Sequence, residues 1–197
     1  MKKGRFIVFE GIDGSGSTTQ ANKLADHFTS VGVKCVITAQ PSKNSVGLFI
    51  KKFLQSKIKI SLFKEKELAL LFAADRLVHY SLNIKNNINA GINVICDRYV
   101  MSSLAYQGIN LDIDWIRNIN QYAPIPDITI LIDVDDYIAK VRRENRHYSE
   151  LFDDFNFQVM VRKSYLRLSK QFRCYIINGN GNRNNVFNLV LACLKGY

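Results

Sequence analysis

The stretch FEGIDGSGSTTQ, Phe9 to Gln20, decides how the rest of the chain is read. It follows a short apolar run, Arg5 to Glu10, and leads into a helix-forming segment that begins at Thr18. Strand, glycine-rich turn and helix, in that order, are the setting of a phosphate-binding loop, G-x-x-x-x-G-K-[ST]. Gly11, Gly14 and Gly16 let the backbone turn so that successive N–H groups face an anion, and the helix start adds the positive end of its dipole. The expected cradle is therefore Gly11, Ile12, Asp13, Gly14, Ser15, Gly16, Ser17, Thr18 and Thr19, with the Thr18 hydroxyl at the position that holds magnesium. One residue departs from the motif: Ser17 stands where the lysine belongs. A unit charge about 4 Å from a phosphate charge is worth roughly 4 kcal/mol at an effective dielectric of 20. Felt only in the transition state, that is on the order of a thousandfold in rate. An active enzyme has to draw this charge from elsewhere.

Outward from the loop, apolar runs and helical stretches alternate. Further strands are predicted at Val33–Ala39, Ile92–Asp97, Pro126–Val134 and Arg173–Gly179. Helices are predicted at Thr18–Ser30, Val46–Leu54, Lys64–Asn89, Ser102–Tyr106, Ile113–Tyr122, Asp136–Glu144, Asp153–Gln171 and Val186–Leu194. This alternation predicts a five-stranded parallel sheet wrapped by helices on both faces, with ligands at the C-terminal edge of the strands. No linker or repeat divides it, so residues 1–197 read as one domain; Asn178 to Asn185 is a flexible-loop candidate.

Composition narrows the function. No run of about 18 apolar residues exists, and the apolar run after the N-terminal lysines stops at Glu10, which argues against a membrane span or a signal peptide and for a cytoplasmic chain. The four cysteines are scattered, as are the three histidines, which suits buried thiols and gives no metal cluster. The net charge of +10 favours anionic ligands. Between Lys43 and Lys66, seven lysines face a single Glu65, which reads as a solvated helix face. No nucleic-acid-binding signature accompanies it, so no nucleic-acid partner is expected.

Four further segments resemble the thymidylate kinases. LLFAADR (Leu70–Arg76) is similar to that family's base-binding helix. CDRYVMSSLAYQG (Cys96–Gly108) resembles its D-R-[YH]-x-x-S-x-x-A-Y-Q-G signature, the most specific of the matches. PDITILIDV resembles its fourth strand, and VRRENR with FQVMVRKSYLRL its lid and the helix beyond. The resemblance covers nearly the whole chain and implies a P-loop nucleoside monophosphate kinase with a lid near residues 142–153. It implies ATP as donor, Mg²⁺, dTMP as acceptor, and a homodimer packed through the long helices. Asp97, at a strand end, suits magnesium or its waters, and Arg98 can grip the acceptor phosphate in a fork of N–H donors; a structural Asp–Arg pair is the competing possibility. The resemblance further implies that Phe72 stacks on thymine and Arg76 contacts the base. Ser103 and Gln107 would hydrogen-bond the base, Tyr106 would lie against the sugar, and Asp13 would sit near the attacking phosphate.

Two departures from the family bear on mechanism. Where T-R-E-P is frequent, this chain has Thr38-Ala39-Gln40-Pro41, so Arg98, with Lys43, must carry more of the acceptor phosphate. The other departure is Ser17. The lid candidates for its missing charge are Arg142, Arg143 and Arg146, beside His147, and they would arrive on closure, which keeps water from the phosphoryl group. The expected reaction is ATP plus dTMP to ADP plus dTDP. The alternatives are a kinase for another monophosphate or a nucleotide-binding pseudokinase.

Overall fold

The computed structural model describes residues 3–55, 62–144 and 151–194. The five apolar runs form β1 (Phe6–Glu10), β2 (Cys35–Ala39), β3 (Asn93–Asp97), β4 (Ile128–Asp133) and β5 (Cys174–Asn178). All pair in parallel, in the order β2-β3-β1-β4-β5. The central β1 is buried along its whole length, whereas the edge strands β2 and β5 alternate with exposed positions. That is what a sheet covered on both faces requires of its middle strand.

The pleat sends alternate side chains of β1 into two cores. Ile7 and Phe9 pack with Ala21, Leu24, Leu104, Tyr165 and Val190 on one face. Phe6 and Val8 pack with Ile84, Val94, Cys96 and Tyr99 on the other. The helices supplying these faces are α1 (Ser17–Ser30), α2 (Ser45–Leu54), α3 (Leu62–His79), α4 (Lys85–Asn89), α5 (Val100–Tyr106), α6 (Ile113–Ile119), α7 (Asp136–Glu144), α8 (Phe155–Ser169) and α9 (Arg183–Cys193).

Every predicted strand is present, within two residues at each end. The predicted helix Lys64–Asn89 is α3 and α4 joined by a π turn at Tyr80–Ile84. No glycine or proline marks that turn in the sequence. The predicted Ile113–Tyr122 helix stops at Ile119, because the Asn120 side chain turns back to the Ile116 carbonyl. Among the described residues no helix is long and apolar enough to cross a membrane. Asn178–Asn185 is organised by its own asparagines. Asn178 Oδ1 accepts from the Asn180 N–H, Asn180 Oδ1 from the Asp135 N–H, and Asn182 Oδ1 caps α9.

In strand order, β3 and β4 flank β1, so the chain crosses over β1 between them. The carboxyl ends of β1 and β3 lie side by side, with Phe9 opposite Asp97. This edge, at a switch of connection direction, is where such sheets take ligands.

Candidate active site

The loop after β1 takes up the backbone conformations its glycines permit. Gly14 and Gly16 have φ of +85° and +91°, and Gly16 caps α1. A Cβ on Gly14 would stand 2.4 Å from the Ala139 carbonyl oxygen, so α7 can rest on the loop only with glycine there. A Cβ on Gly16 would meet nothing within 4 Å, because that side of the loop opens into space. The space is a cavity of about 920 Å³ running from Ile12–Gln20 to Phe72, Arg76 and Gln107. Among the described residues five cations line it, Lys51, Arg76, Arg98, Arg142 and Arg183, against two acids, Asp13 and Asp97. Its chemistry is that of a site for a multiply charged anion.

Thr18 lies in the first turn of α1, just after the loop, and Asp97 ends β3. The Thr18 hydroxyl donates to Asp97 Oδ2 at 2.5 Å. The other oxygen, Oδ1, is buried and has no hydrogen-bond partner among the described residues. Leaving a buried carboxylate oxygen unpaired is costly. A hydroxyl beside such an oxygen, at the mouth of a phosphate loop, is a donor set that fits a hard divalent cation.

Arg98 follows Asp97 with φ +70°, a left-handed conformation that costs a bulky side chain on the order of 1–3 kcal/mol. The strain turns the guanidinium back over the loop. Nη2 bonds Asp13 Oδ1 at 2.5 Å, Nη1 bonds the Gly11 carbonyl at 3.0 Å, and the guanidinium carbon lies 5.2 Å from the centre of the Tyr106 ring. The structural ion pair weighed from sequence therefore exists, but its acid is Asp13 and not Asp97. Asp13 is itself fixed: its Oδ2 accepts from Gln158 Nε2 at 2.9 Å and its carbonyl from Arg143 Nη1 at 2.7 Å. Beneath Arg98, Ser102 and Tyr165 bond both Arg98 Nη1 and the fully buried Glu10. Burial raises the Glu10 pKa, and those hydroxyl bonds work against the rise.

At the far end, Phe72, Arg76, Ser103, Tyr106 and Gln107 all line the cavity. Arg76 is 1 % exposed, and its bonds run to Gln40 Oε1, Asn120 Oδ1, the Tyr99 carbonyl and Ser103 Oγ. Tyr106 is wedged among Phe152, Phe157 and Tyr165, and burial raises its pKa.

The lid arginines separate. Arg142 lines the cavity, with Nη1 3.3 Å from the Ser15 carbonyl and Nη2 3.1 Å from that of Gly179. Burial, then the charge of Arg183, lowers its pKa. Arg143 does not line the cavity: it is 6 % exposed, bonded to the Asp13 carbonyl and paired with Asp153 at 3.8 Å. Its place is under the loop, as a brace. Gly11, too, lies behind the cavity wall and not on it. Arg146 falls outside the described residues.

Several residues of the wall carry no motif that marks them as such. Lys43 is exposed and away from the cavity, while Lys51, one face round from the buried Gly47 and Ile50 of α2, lines it. The amphipathic phase of α2 carried that signal. Arg183, Gln40 and Phe152 come from loops and helix ends whose placement no local pattern gives.

A parallel sheet whose phosphate loop opens into one cavity that reaches Phe72, Arg76 and Gln107 is the arrangement of a P-loop kinase of the nucleoside monophosphate type. The sequence model described as Thymidylate kinase matches residues 9–190, and the chain belongs to that family. A Pyrococcus horikoshii protein named "Probable thymidylate kinase" is 38% identical over 198 residues, covering 98% of this chain and 97% of its own length. A Methanococcus aeolicus protein of the same name is 41% identical over 165 residues, 83% of this chain and 79% of its own. The solved structure of thymidylate kinase from Candida albicans superposes with a TM-score of 0.83 at 23% identity, covering 98% of this chain and 92% of that one, and shares the fold.

Proposed function

We propose that the chain transfers the γ-phosphoryl group of ATP to dTMP, giving ADP and dTDP. The observation that carries this is that one cavity has a phosphate loop at one end and Phe72, Arg76, Ser103 and Gln107 at the other. Phosphoryl transfer needs positioning and positive charge more than covalent chemistry, and the walls supply both.

Loop N–H groups and the α1 start hold the donor phosphates. Arg142 and Arg183 both line the cavity, and the charge of Arg183 adds to burial in lowering the Arg142 pKa, so a polyphosphate between the loop and these two side chains would gain from both. Thr18 and Asp97 would hold Mg²⁺, which supplies charge neutralisation at the phosphate oxygens. Arg98 and Lys51 take the acceptor phosphate. Asp13 keeps Arg98 oriented until the phosphate competes for the guanidinium. Phe72 stacks on the base, Arg76 reads its edge, and Tyr106 packs against the sugar. Residues 142–153 act as the lid.

A coupled assay with ATP, Mg²⁺ and a panel of nucleoside monophosphates tests this. Strong ADP release is expected with dTMP and weak release with the purine and cytosine monophosphates. Preference for another monophosphate would reassign the substrate, and nucleotide binding without turnover would favour a pseudokinase.

A homodimer is proposed through α3. Leu68 is buried in the monomer and Leu71 half-buried, but Leu70 and Leu77, seven apart and so on one helix face, are 50% and 37% exposed, with Leu82 beyond them at 61%. Light scattering should give twice the monomer mass, and aspartate at Leu70 and Leu77 should halve it. A monomeric wild-type protein would contradict the proposal.

A further inference from the structure

Four side chains in and behind the wall of the base pocket, Arg76, Gln40, His79 and Thr38, form a chain of hydrogen bonds whose directions follow from which groups can donate. Arg76 Nε–H can only donate, so the Gln40 atom 3.0 Å away is the amide oxygen. The Gln40 nitrogen then faces His79 Nδ1 at 3.3 Å. An amide N–H also only donates, so Nδ1 carries the lone pair and the imidazole proton sits on Nε2, which donates to Thr38 Oγ1 at 2.7 Å. His79 is therefore neutral, and it is 2 % exposed.

Among the described residues no carboxylate hydrogen-bonds Arg76. Its four bonds go to Gln40, Asn120, Tyr99 and Ser103, all neutral acceptors. They use four of the five guanidinium N–H groups, and the fifth, on Nη1, remains for whatever enters the cavity that Arg76 lines. The aim of that fifth N–H depends on the four bonds that hold the plane of the guanidinium.

We infer that His79 is a positioning residue for the base pocket: through the Gln40 amide it fixes Arg76, and its protonation loosens the pocket's hold on the base, so that nucleobase binding is acid-sensitive. The inference rests on the reading of Arg76 as the base-contacting residue. A protonated imidazole would aim Nδ1–H at the Gln40 NH₂, donor against donor. Gln40 relieves the clash by flipping its amide, which turns NH₂ toward Arg76 Nε–H, or by withdrawing. Either way Arg76 loses the bond that sets its plane.

The charged groups around His79 fix where this happens. Asp75 lies one turn earlier on α3, with its carboxylate held by the Ser42 N–H and hydroxyl. Lys51 approaches from α2, Arg76 lies beyond Gln40, and β2 contributes the uncharged Thr38, with Gln40 just past its end. Burial lowers the His79 pKa, Lys51 adds to that, and Asp75 opposes it. The acid limb therefore falls on the acid side of the ordinary histidine value.

The probe is thymidine, which lacks the titrating phosphate of dTMP. Its binding to the whole protein is measured by calorimetry from roughly pH 8 down to 5. The wild-type protein should lose about tenfold in affinity toward the acid end, the effect of losing one charged hydrogen bond. His79→Asn keeps an acceptor near the Nδ1 position but cannot titrate, so its affinity should be flat with pH. Gln40→Glu offers a carboxylate that accepts from Arg76 and from protonated His79 together, so acid should no longer weaken binding. An acid limb that survives unchanged in His79→Asn, or in Gln40→Glu, overturns the inference, as does a flat wild-type profile. Arg76→Lys separates the two layers: if it binds thymidine as tightly as wild type, the base-pocket reading itself fails. If it binds weakly while His79→Asn keeps the wild-type pH profile, only the positioning role of His79 is lost.

Discussion

Arg98→Ala is expected to lower kcat/KM for dTMP by about three orders of magnitude, roughly 4 kcal/mol. Two losses add. The acceptor phosphate loses a forked, charge-assisted donor, and Asp13, whose carboxylate is 13% exposed and 2.5 Å from Arg98, is left as an unmatched charge beside the incoming phosphate. Arg98→Lys keeps the charge but loses the fork, so it should fall between alanine and wild type. Arg98→Gly distinguishes chemistry from backbone strain. It removes the same guanidinium but suits φ +70°, so it should be as inactive as alanine while unfolding at higher urea. Activity of Arg98→Ala within about tenfold of wild type would remove Arg98 from the mechanism.

The second large effect is expected in the lid. Arg142→Ala combined with Arg146→Ala should lower kcat by about a hundredfold or more, with little change in KM for dTMP. The basis is the charge deficit at Ser17, worth roughly 4 kcal/mol if supplied from about 4 Å at an effective dielectric of 20. Arg142 already lies against the loop carbonyls of Gly14 and Ser15. Arg143→Ala should behave differently. Its guanidinium braces the Asp13 carbonyl from beneath, so its loss should appear as lower stability, with kcat and KM changing together. If Arg143→Ala reproduced the kcat-selective loss and the double variant did not, the assignments of brace and charge donor would be reversed.

Much of this was readable in the chain because it is local. A glycine-rich turn between an apolar run and a helix is a contiguous pattern, and all five strands announce themselves by apolar runs of five or six residues. The Asp97–Arg98 step at a strand end and the Phe72–Arg76 pair on one helix face are local too. What escaped reading is set by contacts between distant segments. Arg143 and Arg142 are neighbours in sequence, and only the packing of α7 on Gly14 sends one beneath the loop and the other into the cavity. Lys51 replaces Lys43 at the cavity because the buried Gly47 and Ile50 fix the phase of α2. The π turn at Tyr80–Ile84 has no sequence marker at all. The Gln40–His79 pair joins the residue after β2 to α3 across 39 residues, and no motif spacing could have suggested it.

We propose that the charge missing at Ser17 is displaced to the lid and not lost. Single-turnover phosphoryl transfer, measured with enzyme in excess over ATP and with saturating dTMP, tests it in a four-way comparison. The four proteins are wild type, Ser17→Lys, the Arg142→Ala/Arg146→Ala double variant, and all three substitutions together. Ser17→Lys is expected to add little to the wild-type rate and to restore much of the loss in the double variant, because each source of charge is redundant only while the other is present. Equal acceleration by Ser17→Lys in both backgrounds, or a double variant that turns over at the wild-type rate, would contradict it.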